Sequence, residues 1–105
     1  GDDALTLPMI AAGADGVISV VANAYPKEFS DMVRHALKED FAKARNNHFL
    51  LLDLVNALFA DGSPAGIKAA LEIKKLCRNE LRLPLVGVKQ EVHARIKELI
   101  RHIER

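Results

Sequence analysis

Lysine, histidine, serine and cysteine are the residue types in this chain that could serve as nucleophile, base or metal ligand. A lysine amine that attacks a carbonyl must be neutral at working pH, which requires desolvation. α/β barrels obtain this by setting the lysine at the end of a buried strand. The lysines here are Lys27, Lys38, Lys43, Lys68, Lys74, Lys75, Lys89 and Lys97, and all but Lys68 sit among other polar residues. Lys68 follows Pro64-Ala65-Gly66-Ile67 in the first turn of an expected helix, where a solvated or carbonyl-bonded structural lysine is the simpler reading. The 4 histidines, His35, His48, His93 and His102, show no i,i+4 pairing with one another and form no metal-ligand pattern. Ser19 has no identifiable base, and Cys77 near a helix end reads as a small core residue. Lys68, Lys74, Lys75, Arg78 and Arg82 form a basic cluster, but Glu72 and Glu80 dilute it and no aromatic residues interleave, so it reads as a solvated helix face. No residue qualifies as catalytic, and none as a metal ligand.

Composition narrows the class without naming a function. The 105 residues suffice for one domain with a modest core, and 50% hydrophobic with 28% charged residues is ordinary for a globular protein. A net charge of +1 gives no reason to expect nucleic acid or an anionic membrane as partner. The 1 cysteine excludes an intrachain disulfide and fits a reducing cytoplasm. No apolar stretch approaches the ~18 residues of a membrane span, and Gly1-Asp2-Asp3 does not open a signal peptide.

The elements that must position these residues are read from periodicity and punctuation. A first helix is expected from about Asp3 to Ala12, with Asp2 or Asp3 as N-cap, Gly13 as its stop and Pro8 as an internal conflict. Gly16 then opens an apolar run, Val17 to Val21, broken only by Ser19 and closed by turn residues Asn23 to Pro26. Such a run suits a parallel strand buried on both faces. It has no partner in the chain, so it must pair with another copy, belong to a larger sheet, or abandon strand structure. From Pro26 onward the pattern is helical. One helix carries Phe29, Met32, Val33, Ala36 and Leu37. A second restarts near Asp40 and carries Phe41, Ala44, His48, Leu51, Leu52, Val55, Leu58 and Phe59. Ser63-Pro64 should cap a third, Ala65 to Asn79. Arg82-Leu83-Pro84-Leu85 should be an extended connector, and Lys89 to Ile103 the last helix.

Several separated segments agree with one family. Gly1-Asp2-Asp3-Ala4-Leu5 and Gly13-Ala14-Asp15-Gly16-Val17-Ile18-Ser19-Val20-Val21-Ala22-Asn23 resemble the dihydrodipicolinate synthase family. So do Asp40-Phe41-Ala42-Lys43-Ala44-Arg45, Leu58-Phe59, Ser63-Pro64-Ala65-Gly66-Ile67-Lys68 and Leu81-Arg82-Leu83-Pro84-Leu85. N-acetylneuraminate lyase, a related pyruvate aldolase, is less similar at Val17 to Val21 and at the Arg-Leu-Pro-Leu connector.

The resemblance implies a chain that is mostly α when isolated: the C-terminal part of a (β/α)8 TIM barrel, with its last strand and flanking helices, plus the C-terminal helical domain. Residues 1–38 would be the tail of the barrel and 39–105 the helical domain. It implies a parent lyase that condenses pyruvate with aspartate semialdehyde on the route to diaminopimelate and lysine, cytoplasmic, homotetrameric and without a cofactor. Pyruvate would be held as a Schiff base on a strand lysine. That lysine and its proton-relay residues would lie outside this chain, since a complete barrel needs ~250 residues, so the chain alone is expected to be inactive. Two residues carry over as substrate-binding: Ile18, through its backbone carbonyl beside pyruvate, and Gly1, in a loop near the same pocket. Asp2 and Asp3 would stand at the pocket rim, where helix capping already accounts for them. The alternatives are a piece of another pyruvate-dependent aldolase, or a helical module that associates through its apolar faces.

Overall fold

The computed structural model describes residues 2–105. All regular elements among them are helical: α1 (Thr6–Ala11), α2 (Pro26–Leu37), α3 (Phe41–Leu58), α4 (Ala65–Ile73) and α5 (Gln90–Ile103), with short 3-10 turns at Asp3–Leu5 and Val21–Asn23. None of the helices is long and apolar enough to cross a membrane. Two compact units divide the chain, one up to Leu52 and the other Asp53–Arg105.

In the first unit, α1 and the Val21–Asn23 turn both pack on α2. Leu7, Ile10, Val21, Ala24, Tyr25, Phe29, Met32 and Ala36 are buried there. Enclosing a side chain the size of Met32 contributes on the order of 2 kcal/mol. Pro8 falls in the first turn of α1, where its missing N–H would have had no helical acceptor, so the helix is not broken. Gly13 ends the segment at φ +112°, a conformation that side chains with a Cβ resist. Pro26 opens α2 at its first position, as expected. The side-chain amide of Asn47 in α3 donates to the Glu28 carbonyl at the start of α2, at 3.1 Å.

The expected strand does not form. Residues 14–19 are irregular, and Val20 is already helical in its dihedrals. A ladder needs a second backbone alongside, and no described residue supplies one.

In the second unit, α4 packs on α5, enclosing Ala65, Ile67, Ala69, Ala70, Ile96 and Ile100. α4 is shorter than its periodicity suggests. Lys75 adopts φ 63° and its N–H turns back to the Glu72 carbonyl, which ends the helix at Ile73 and leaves Leu76 exposed. Ser63 does not cap it; Pro64 holds the cap position without a side-chain bond. Arg82-Leu83-Pro84-Leu85 is a turn, closed by Leu85 N–H on the Arg82 carbonyl at 3.0 Å, and not an extended connector. Asp61 accepts the Lys89 N–H at 2.7 Å where α5 begins, and Lys74 pairs with Glu104 at its end, 3.5 Å apart.

Candidate functional site

Ile18, one of the two residues that the sequence marks as substrate-binding, lies in the irregular segment after α1, and Asp2 and Asp3 lie just before that helix. Asp2 is extended at φ -120° and ψ 123°, and its Oδ1 accepts the Ala4 N–H at 2.9 Å, so Asp2 is the cap of the first turn. The Thr6 hydroxyl donates to the Asp2 carbonyl at 3.0 Å.

Asp3 does something else. It is 4% exposed, and its Oδ2 accepts the backbone N–H of Val20 at 3.0 Å and of Val21 at 2.8 Å. A buried carboxylate is tolerated only when its lone pairs are met, and these are charge-assisted bonds of the stronger kind. Two loops distant in sequence are thereby tied at one oxygen atom. The sequence marks Asp3 as a pocket-rim residue whose helix capping needs no further role, and not as a tether. The one available signal was redundancy, since Asp2 alone suffices as a cap.

Downstream, the Ser19 hydroxyl accepts the Ala22 N–H at 3.0 Å and Asn23 donates to the Val20 carbonyl at 3.0 Å. Ser19 is thus a turn-capping residue. Val21 is fully buried, while the Ile18 side chain three residues earlier is 95% exposed. Ile18 is therefore not core of this chain: its side chain meets nothing among the described residues that would cover it. Gly1, the other expected substrate-binding residue, lies outside the described residues.

Lys68 is half-buried and lines an open groove of about 580 Å³ with Pro64, Arg78, Glu80, Leu81, Arg82 and Leu85. The basic cluster is therefore split: Lys68, Arg78 and Arg82 share the groove, with Arg78 3.4 Å from Glu80, while Lys74 turns to Glu104. No group of three or more metal-binding side chains is gathered among the described residues. Burial holds the His48 imidazole below its ordinary value, and its ring packs edge-on against Phe49 with centroids 5.0 Å apart. Cys77, expected in the core, is exposed.

Residues 1–103 match the Dihydrodipicolinate synthetase family. The chain belongs to that family. It is 45% identical over 104 residues to the 4-hydroxy-tetrahydrodipicolinate synthase of Phocaeicola vulgatus, covering 99% of this chain and 35% of the relative. Identity to the Methanocaldococcus jannaschii enzyme of the same name is 50% over 98 residues, 93% of this chain and 34% of the relative. The crystal structure of dihydrodipicolinate synthase from Aquifex aeolicus superimposes with a TM-score of 0.94 at 41% identity, covering 99% of this chain and 36% of that one. This chain thus spans about a third of the length of the curated relatives it matches. The family resemblance read from the sequence holds along almost its whole length. A mostly helical chain is what a piece of this barrel family looks like when the neighbouring strands are not part of it.

Proposed function

We propose that this chain is the C-terminal third of a 4-hydroxy-tetrahydrodipicolinate synthase, with residues 1–38 closing the (β/α)8 barrel and residues 39–105 forming its helical domain. The complete enzyme condenses pyruvate with aspartate semialdehyde on the route to diaminopimelate and lysine. It works in the cytoplasm as a homotetramer, with no cofactor, nucleic acid or membrane involved. The observation that carries this reading is the superposition of 99% of the chain on a dihydrodipicolinate synthase at 41% identity. Exposed Ile18, Phe49, Leu83 and Val86 add support, because apolar side chains left uncovered mark surfaces meant to meet other protein.

In this reading the chemistry is divided. A lysine in the rest of the barrel forms the imine with pyruvate and expels water. The chain described here supplies walls and hydrogen-bonding backbone: the Ile18 carbonyl beside pyruvate, with Gly1 in the neighbouring loop. The chain alone is inert, because its best-placed amine, Lys68, stands in an open groove and not at the end of a buried strand.

Two measurements test this. Incubating the chain with pyruvate and borohydride, which reduces an imine irreversibly, should leave its intact mass unchanged. A stoichiometric adduct, on Lys68 or elsewhere, would show that the chain has imine chemistry of its own. Joining the chain to the remaining barrel portion of the Aquifex aeolicus enzyme should give an active synthase. A folded but inactive fusion would refute the assignment.

A further inference from the structure

We propose that Asp3 is the positioning residue of the pyruvate site: it holds the segment that carries Ile18 in register, and so places the Ile18 carbonyl where pyruvate binds. This rests on the assignment of the chain as part of a synthase and of Ile18 to its substrate pocket.

Little else holds Ile18. Residues 15–18 make no backbone hydrogen bond to any described residue. The Ile18 side chain is 95% exposed and so contributes no packing that would fix it. Upstream, the nearest fixed point is Ala14, whose N–H bonds the Met9 carbonyl at 2.9 Å. Downstream, the Ser19 hydroxyl accepts the Ala22 N–H and so closes only its own turn, and the nearest bonds that tie this segment to another part of the chain are those of the Val20 and Val21 N–H groups to Asp3 Oδ2. Val21 is in turn enclosed in the turn that packs on α2. The position of Ile18 is therefore set from two residues away, at Val20, by a carboxylate 17 positions before Val20 in sequence.

A capping requirement does not explain Asp3, because Asp2 caps that turn. A need for buried volume does not either, because an apolar side chain would fill the space without a charge to desolvate. The bond directions explain it: one anionic oxygen fixes two successive N–H groups, and therefore the orientation of the peptide planes there.

The test uses the complete enzyme formed with the Aquifex aeolicus barrel portion, comparing Asp3→Ala and Asp3→Asn with the parent. Asp3→Ala removes the acceptor and should raise KM for pyruvate about tenfold, the worth of one hydrogen bond to the substrate. Asp3→Asn keeps an acceptor of the same shape without the charge and should raise KM only about threefold, with amide exchange at Val20 and Val21 moderately faster. A purely structural role would lower the melting temperature or the active fraction and leave KM unchanged. That result for Asp3→Ala would overturn the inference. If Asp3→Ala does not fold, unchanged KM and unchanged Val20 and Val21 exchange in Asp3→Asn would overturn it instead. An active parent with indifferent variants refutes the role of Asp3 alone, whereas an inactive but folded parent refutes the functional assignment beneath it.

Discussion

Gly66→Ala should destabilise the chain, although the same change in most helices does the reverse. Gly66 is buried at the second position of α4, where alanine would ordinarily gain up to ~1 kcal/mol in helix propensity. The space for a methyl group is already taken. A Cβ there would lie 2.6 Å from the Leu58 carbonyl carbon and 2.7 Å from its Cα, and nearer still to the carbonyl oxygen. Real contacts of this kind begin near 3.4 Å, and the obstruction is main chain, which cannot rotate aside. α4 would have to recede by at least roughly 0.8 Å from the end of α3, a shift at the upper end of the ~1–3 kcal/mol typical of overpacking. Set against the propensity gain, the net loss is about 2 kcal/mol, or ~10 °C in Tm for a chain of this size. Urea unfolding followed by helical circular dichroism measures it. Gly87→Ala is the control, since nothing lies within 4 Å of the added methyl, and it should stay within ~0.5 kcal/mol. A Gly66→Ala midpoint equal to or above the parent's would refute the close approach of α4 to Leu58.

Two further outcomes are expected. Gly13→Ala should lose ~1–2 kcal/mol to its φ of +112°, whereas Glu39→Gly, at φ 62°, should gain ~0.5–1 kcal/mol; opposite signs in one melting series would be required, and matching signs would refute the backbone account. His48 makes stability depend on pH. Desolvation lowers its folded value, so the unfolded chain binds the proton more readily, and stability is complete above the ordinary value of ~6.5 and declines as pH falls from there toward the folded value. His48→Gln should flatten that decline when urea midpoints are compared between about pH 7.5 and about pH 5.5, and an unaltered slope would show that another group is responsible.

Local chemistry alone determined much of this chain. Pro26 as the first residue of α2, the turn at Gly13, the restart at Asp40 and the apolar spacing of α2 and α5 follow from rules spanning a few residues, and the structure keeps them. The family was legible for a related reason: the motifs that carry it are contiguous in sequence. Three features were decided only in three dimensions. The run Val17 to Val21 has strand composition but no strand, because pairing is a property of two backbones. α4 stops at Ile73 because Lys75 takes a left-handed conformation that no preference of lysine foretells. Asp3 could have capped its own turn, but only the fold could enclose it within 2.8 Å of the Val21 N–H, 18 residues away, and turn a cap into a tether. Short-range preferences are written residue by residue, whereas the partner of a buried charge is chosen by whatever the folded chain brings beside it.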